Sequence, residues 1–319
     1  MNKLKPLRAN GSRVEVQCPV CESEFSKRAR TVNGFKLVRC RECSMVYVSP
    51  QLSEAELEKL YTTKKDPEAI VALYSRLATR AVLSGYDARL EYLEEKLGKR
   101  KGRLLDFACA AAYFTERAAA KGWEAHGVDI GKWVEIAAAQ RGVRNIHVGD
   151  LRAIGFPGGY FDVVYAAQVL EHLRDPRSVL TELRRILSPR GILYVDVPNF
   201  RTLPIMLHRD DFYLNDPPQH INYFTPYTLR RLLTQSGFHI VDMSSGGGLK
   251  WENLLGRPII SELADAYRPS QNEGADSKKS KEFECSEVSK RSLVSRWVRA
   301  VCYQRMKIGM NLYAVCRQQ

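Results

Sequence analysis

Short apolar segments and longer segments with helical spacing alternate along the chain from Arg103 onward. The short segments predict strands at 104–107, 124–130, 145–149, 162–167 and 191–197. The longer segments predict helices near 113–121, 131–140 and 176–188. Strands that alternate with helices in this way form a parallel, doubly wound α/β sheet, whose ligands bind beyond the carboxyl ends of the strands.

The segments on either side of this pattern extend the prediction. Residues 67–98 have helical apolar spacing that breaks near Gly85, so two helices are expected before the sheet. Ser53 starts a shorter helix, with Glu56 at the capping-box position. Beyond the sheet, FHIV and MNLYAVCRQ are expected to be strands, with a polar insert at about 247–308 between them.

The chain therefore divides into a small basic module over 1–50, a helical linker or lid over 51–100, and a large α/β domain over 101–319. A composition of 45% hydrophobic and 27% charged residues is that of a folded protein. No apolar run approaches the roughly 18 residues that span a bilayer. No apolar segment follows the charged N-terminus, so we expect no signal peptide and a cytoplasmic location.

The net charge of +13 is concentrated at the two ends of the chain. Residues 1–50 carry a net +6 and residues 251–319 a net +4, which leaves +3 for all the others. A basic N-terminal module attracts phosphate-bearing partners such as RNA, a nucleotide-sugar or an anionic membrane face. A solvated basic surface without a partner is the alternative interpretation.

Four cysteines in the N-terminal module have the spacing of a metal site. Cys18 and Cys21 form one CxxC pair, and Cys40 and Cys43 form a second pair after 18 intervening residues. Two such pairs present four thiolates to one tetrahedral ion, and in a reducing compartment they favour Zn²⁺ over disulfides. All four ligand positions are filled by sulfur, so we expect a structural zinc ion that folds a module too small to hold a core unaided. Iron and unpaired thiols are the alternatives.

Polar residues close the predicted strands at the edge where a ligand would bind. Asp106 ends the first strand, and Asp129 ends the second, where a carboxylate can accept hydrogen bonds from two ribose hydroxyls. Asp150 ends the third strand and is followed by Leu151, a pair able to contact the amino group and face of an adenine. After the fourth strand, AQVLEHL directs three polar side chains at the same edge: Gln168, Glu171 and His172.

With these residues the chain resembles the class I S-adenosylmethionine-dependent methyltransferases. The resemblance covers roughly 101–245 and the last strand, through LLDFACAAAYF, HGVDI, GDL, FDVVYAAQVLEH, LSPRGILYVDVPN and FTPYTLRRLLTQSGFHIV. The N-terminal segment with CSMVYVSPQLSEAELEKLY resembles a zinc-ribbon branch of that family, often concerned with sugars and other small metabolites. The resemblance implies a seven-stranded Rossmann-like sheet and S-adenosyl-L-methionine as cofactor.

The resemblance also implies a role for each strand-end residue. Asp129 would bind the ribose, Asp150 and Leu151 the adenine, and the turn after Asp106 the methionine part, with Gln168 beside it. A nicotinamide-dependent dehydrogenase is the rival for such a sheet, but its fingerprint requires a small residue where Tyr113 stands.

The turn itself departs from the family pattern Asp-x-Gly-x-Gly-x-Gly. This chain has Ala108, Ala110 and Ala112 at the glycine positions. Glycine serves there because the backbone takes conformations that a Cβ resists and because the ligand approaches the main chain closely. A left-handed alanine costs roughly 1–2 kcal/mol, so two such positions would weaken cofactor binding by some tens to about a thousandfold. An engineered loop, a recent pseudoenzyme, and a natural loop that binds the cofactor in a shifted pose are the open explanations.

The acceptor side has two histidines as candidate bases, His172 and His220. In sugar C-methyltransferases that this chain resembles, a histidine after a glutamate, in a stretch ending Tyr-Phe-Ser, takes part in proton transfer. The comparable stretch here is PQHINYFT, so His220 and Tyr223 match, whereas Gln219 replaces the glutamate. That replacement puts the carbon-acid chemistry of those enzymes in doubt for this chain.

Several functions remain open from the sequence. Methyl transfer to a small metabolite, such as a nucleotide- or lipid-linked sugar, is the leading hypothesis, with cofactor binding impaired by the alanines. A non-catalytic binding protein is the alternative from another class. An RNA methyltransferase is a third, disfavoured because no aromatic row or second basic stripe flanks the cleft. The basic segment 293–309 could lie on an anionic membrane beside a lipid-linked substrate, or dock on its own domain.

Overall fold

The computed structural model describes residues 13–62, 67–202, 217–246 and 311–319. The predicted insert at 247–308, and the basic segment 293–309 within and beside it, lie outside the described residues. Within the described ranges, no helix is both long and apolar enough to cross a membrane.

The strands, numbered in chain order, lie in three sheets. Their bounds are β1 Arg13–Val14, β2 Ser26–Val32, β3 Phe35–Cys40, β4 Val46–Val48, β5 Gln51–Leu52, β6 Arg103–Phe107, β7 Glu124–Asp129, β8 Ile146–Val148, β9 Phe161–Ala167, β10 Leu187–Pro198, β11 Asn222–Tyr223, β12 Phe238–Gly246 and β13 Asn311–Gln318. The largest sheet has seven strands in the order β12-β13-β10-β9-β6-β7-β8. β6 to β10 pair in parallel, and β13 runs antiparallel to both of its neighbours. The predicted α/β class with its parallel core is confirmed.

The helices cover and connect these strands. Their bounds in the described residues are α1 Glu54–Thr62, α2 Pro67–Leu77, α3 Arg80–Lys96, α4 Tyr113–Ala120, α5 Trp133–Arg141, α6 Leu151–Ile154, α7 Pro176–Ile186 and α8 Pro226–Gln235. The break near Gly85 was predicted wrongly, because Gly85 lies inside α3 and the chain turns instead before Thr79. Thr79 caps α3 by accepting the N–H of Val82, and a capped start outweighs one glycine in the middle of a helix. The capping box of Ser53 and Glu56 is present at the start of α1.

The N-terminal module is continuous with the large domain. Its sheet has the order β11-β4-β3-β2. The edge strand β11 comes from the large domain, because it follows β10 of the α/β sheet in the sequence. Cys18, Val20 and Tyr47 belong to the same buried apolar cluster as Phe224 and Leu232 of the large domain. Arg177 of α7 also donates a hydrogen bond to the carbonyl of Val20 at 2.9 Å. The predicted boundaries at residues 50 and 100 stay predictions, but the two parts share one core.

Candidate active site

The turn between β6 and α4 adopts the backbone that glycine favours. The φ angles are +60° at Ala108, +47° at Ala110 and +58° at Ala112. All three alanines therefore lie in the left-handed region, where a Cβ crowds the backbone. Ala112 is the residue before α4 and offers no side chain to cap it. The sequence-based expectation of left-handed alanines matches this geometry, whereas the effect on ligand affinity stays a prediction.

Asp129 holds this turn from the end of β7. One carboxylate oxygen, Oδ2, accepts the N–H of Ala110 at 3.0 Å, and Oδ1 accepts the N–H of Gly131 at 2.9 Å. Burial raises the pKa of Asp129, and the backbone N–H donors from Gly131 and Ala110 oppose that rise. Asp129, the residue predicted to bind the ribose, is thus in direct contact with the turn predicted to bind the methionine part.

Asp106 lies beneath the same turn and is almost fully buried. Its Oδ2 accepts the hydroxyl hydrogen of Thr115 at 2.7 Å. Burial raises the pKa of Asp106 to about 7, with the Asp129 carboxyl adding to the rise. Asp106 therefore carries a proton over most of the acidic range and fixes the first turn of α4.

The next two predicted adenine ligands have different surroundings. Asp150 is exposed and caps α6 by accepting the N–H groups of Arg152 at 2.9 Å and Ala153 at 3.4 Å. Leu151 is buried at the start of that helix. Capping alone accounts for an aspartate at this position, so its contact with adenine stays a prediction.

Gln168 follows β9 with a left-handed φ of +55°. Its Nε2 donates to Oδ1 of Asp196 at 3.0 Å, and its N–H donates to the Asp196 carbonyl at 2.7 Å. These two bonds aim the Gln168 side chain across the ends of β9 and β10. Gln168, a predicted cofactor-binding residue, is thereby hydrogen-bonded to a group of residues that the sequence patterns did not reveal.

That group surrounds the buried carboxyl of Asp196. Arg89 of α3 lies 3.4 Å from its Oδ2, and burial raises the pKa of Asp196 to about 6. Both residues border a cavity of about 300 Å³, lined by Ala88, Arg89, Tyr92, Tyr194, Asp196, Gly246, Asn311 and Tyr313. The signal in the sequence was a single acidic residue inside the apolar strand GILYVDV. Its partner, Arg89, lies 107 positions earlier, and sequence spacing does not reveal that pairing.

The two predicted histidine bases lie together beside a third titratable residue. The rings of His172 and His220 are 4.8 Å apart between centroids, and Nε2 of His172 lies 3.8 Å from Oε1 of Glu171. One carboxylate oxygen of Glu171 and one ring nitrogen of each histidine all lie within 4.8 Å of one another. Glu171 is only 1% exposed, and burial raises its pKa to about 8. The structure thus assembles one polar cluster from two segments that lie far apart in the sequence.

Tyr223 supports this cluster from β11. Its hydroxyl donates to the backbone carbonyl of His220 at 2.9 Å, and its ring is buried against Phe200. The hydroxyl therefore holds the turn that carries His220. A direct catalytic role for Tyr223, which the resemblance implies, stays a prediction.

The four cysteines of the N-terminal module converge on one point. The Sγ atoms of Cys18 and Cys43 are 3.4 Å apart, those of Cys21 and Cys40 are 3.5 Å apart, and all four lie within 4.8 Å of one another. A tetrahedral ion with bonds of about 2.3 Å requires sulfur atoms about 3.8 Å apart, so the cluster fits such an ion. The hydrogen bond between Cys18 and Cys43 lowers the pKa of Cys18 to about 5 and raises the pKa of Cys43.

The model of a family described as a methyltransferase domain matches residues 77–243, just over half of the chain. The chain belongs to this methyltransferase family. Similar curated proteins include the ubiquinone biosynthesis O-methyltransferase of Aeromonas salmonicida (strain A449), 28% identical over 170 residues that cover 49% of this chain and 71% of that protein. The putative methyltransferase YqeM of Bacillus subtilis (strain 168) is 30% identical over 138 residues, which cover 41% of this chain and 54% of that protein.

A solved structure shares the fold. It is an S-adenosylmethionine-dependent methyltransferase of Thermotoga maritima, described as a possible histamine N-methyltransferase, with a TM-score of 0.50 and 13% identity. The match covers 79% of this chain and 99% of that one. Together with the family match, it confirms the predicted class I methyltransferase resemblance and fold. S-adenosylmethionine is the methyl donor named for that solved structure.

Proposed function

We propose that this protein transfers a methyl group from S-adenosyl-L-methionine to a hydroxyl group of a small molecule, a nucleotide- or lipid-linked sugar. The observation that carries the proposal is the cavity beside Asp196. Three tyrosines, an arginine–carboxylate pair and an asparagine line it, and Gln168 joins it to the predicted cofactor side. Tyrosine faces stack on the apolar face of a sugar ring, and the carboxylate and amide groups can hydrogen-bond its hydroxyls.

The residues at the turn have the hydrogen-bonding groups and the charge that the cofactor requires. When bound, the cofactor supplies an electrophilic methyl group on a positively charged sulfur. Asp129 has both carboxylate oxygens anchored by one N–H each, and each oxygen retains capacity to accept a ribose hydroxyl. The carboxylate of Asp129, held against the turn, favours a cationic ligand in this part of the molecule.

On the acceptor side, His172 and His220 are the proposed proton acceptors. The names of several similar curated proteins describe O-methyltransferases, which supports a hydroxyl as the group methylated. Gln219, in place of a glutamate before His220, argues against the carbon-acid alternative. A hydroxyl needs its proton removed as the oxygen attacks, and an imidazole has a pKa suited to that task near neutral pH.

We further propose that the alanine turn weakens cofactor binding in this chain. The left-handed φ angles of the three alanines support the proposal, since the methyl groups stand where the family has none. We also propose Zn²⁺ on Cys18, Cys21, Cys40 and Cys43, and a cytoplasmic location that keeps these thiols reduced.

A calorimetric titration with S-adenosylmethionine and its demethylated product tests the cofactor proposal. The parent chain is compared with the triple variant Ala108→Gly, Ala110→Gly and Ala112→Gly, which we expect to bind some tens to about a thousandfold more tightly. Ala111→Gly is the matched control, because φ at Ala111 is not among the positive values of this turn. Micromolar binding by the parent, with no gain in the triple variant, would contradict the steric argument.

The glycine variant then tests the acceptor. It is offered nucleotide-linked sugars and a mixed RNA pool, with labelled methyl groups followed into products. Transfer to a sugar is the expected result. Tight cofactor binding without transfer to either class would favour the non-catalytic binding protein, and transfer to RNA alone would overturn the sugar proposal.

A further inference from the structure

Glu171 is the most unusual polar group in the part of the chain that the structure describes. It is 1% exposed, and neither of its carboxylate oxygens has a hydrogen-bond partner. Its backbone is fixed, because its carbonyl accepts the N–H groups of Ile221 at 2.9 Å and Asn222 at 3.0 Å. A buried carboxyl without a partner costs free energy, and each such group in a native fold requires an explanation.

The two imidazoles beside Glu171 are arranged as metal-binding histidines are. Nδ1 of His172 lies 2.9 Å from the carbonyl oxygen of Gln219. A carbonyl only accepts, so Nδ1 carries the hydrogen and Nε2, which faces Glu171 at 3.8 Å, is the basic nitrogen of the neutral ring. Histidines that bind metals typically donate their other N–H to a backbone carbonyl in this way.

We propose that Glu171, His172 and His220 bind a divalent transition-metal ion, separate from the ion at the four cysteines. Two nitrogen donors and one carboxylate favour ions such as Zn²⁺ or Mn²⁺ over Ca²⁺, which prefers oxygen ligands alone. Bonds of about 2.0–2.2 Å bring ligand atoms to about 3–3.5 Å from one another. The donors now lie within 4.8 Å, so small side-chain rotations complete the site.

Three protein ligands leave coordination positions open, as in catalytic rather than structural sites. If the proposed function holds, an acceptor hydroxyl occupies one of them, and the ion lowers the pKa of that hydroxyl. His172 and His220 then act as ligands, and the ion takes over the role assigned above to a direct base. The metal site itself does not depend on that function.

Mn²⁺ electron paramagnetic resonance tests the site without cofactor or acceptor. The full-length protein is first loaded with one equivalent of Zn²⁺, which thiolates bind in preference to Mn²⁺. Titration with Mn²⁺ should then remove the free-ion signal with one ion bound per chain. Glu171→Gln and His220→Asn should each weaken this binding at least about tenfold, and Zn²⁺ in excess should release the Mn²⁺.

Two exposed residues provide matched controls, since Glu135→Gln and His239→Asn make the same chemical changes away from the cluster. Both should bind Mn²⁺ like the parent, and the zinc content of each variant shows that it is folded. Absence of bound Mn²⁺ in the parent, or equal binding by the cluster variants, would overturn the proposal. Intact Mn²⁺ binding without methyl transfer would instead count against the proposed function.

Discussion

Buried carboxyls distinguish the site at the scale of single residues. Asp106, Asp129, Glu171 and Asp196 all have a raised pKa, and for each the main cause is burial. The cation Arg89 lies close to Asp196. Such a set is unfavourable for folding and favourable for binding cations, which is the trade that functional sites commonly make.

The pH dependence of stability should report Asp106. Its pKa rises from 3.8 to about 7 on folding, so the native state keeps a proton that the unfolded chain loses over this range. The contribution of this group to the free energy of unfolding is therefore largest at acid pH and declines as pH rises from about 4 to about 7. Asp106→Asn removes the decline and can still accept the hydroxyl hydrogen of Thr115.

Urea unfolding of the parent and the Asn variant at several pH values measures this effect. The free energy of unfolding of the variant should rise relative to that of the parent as pH increases from about 4 to about 7. The difference should reach at most about 4 kcal/mol at pH 7 and above. Parallel stability curves for the two proteins would show that Asp106 does not hold a proton in the native state.

Sequence patterns identified candidate site residues from local spacing and missed candidates that depend on pairing between distant segments. The four cysteines and Asp129 stand at informative spacings, and the structure brings each group together. Asp196 and Arg89 were missed because a helix and a strand far apart in sequence supply them. Their pairing arises only when α3 packs on the sheet.

At the scale of elements, strong hydrophobic periodicity was sufficient to predict helices and strands, whereas weak sequence signals were not. The strands and helices of the α/β sheet were expected at nearly their observed positions, because long apolar patterns define them. Gly85 was misjudged, since a single glycine costs a helix only about 1 kcal/mol. The two-residue strand β11 gave no signal, yet it joins the ribbon sheet to the large domain through its pairing with β4.

The position of the four cysteines leads to a prediction about the Zn²⁺ proposed for them. Because Cys18, Cys40 and Cys43 belong to the main apolar cluster, loss of a bound ion should destabilise the whole molecule. Removal of Zn²⁺ by a strong chelator should lower the melting temperature of one common transition by roughly 10 °C, at about 2–4 °C per kcal/mol. Cys40→Ser should act like the chelator.

Calorimetric melting with and without the chelator distinguishes the possibilities. Cys109→Ala is the control, because Cys109 is buried at the cofactor turn and lies outside the four-cysteine cluster. Its zinc content should equal that of the parent. A separate low-temperature transition, with the main one unmoved, would mean that the ribbon folds independently.

At the scale of the whole molecule, charge is divided between the surface and the cleft. The N-terminal module exposes Lys27 on β2 and Lys36 and Arg39 on β3, within a segment of net +6. The cleft instead contains carboxyl groups, and those that are ionised, such as Asp196 with its pKa of about 6, repel the phosphates of a nucleic acid strand at neutral pH. A phosphate-bearing acceptor is therefore accommodated only if its phosphates stay outside and an uncharged portion, such as a sugar, enters.

This division predicts weak, salt-sensitive binding of RNA without methylation. By fluorescence anisotropy, a generic RNA should bind the full-length protein with a Kd of about 10⁻⁴–10⁻⁶ M at physiological salt, the range of nonspecific contacts. Replacing Lys27 and Arg39 with Gln should weaken that binding and reduce its salt dependence, whereas affinity for S-adenosylmethionine should not change. Tight RNA binding that persists in high salt would contradict the prediction of nonspecific binding. Such binding would require base stacking or specific hydrogen bonds, whereas the described residues offer a carboxyl-rich cleft.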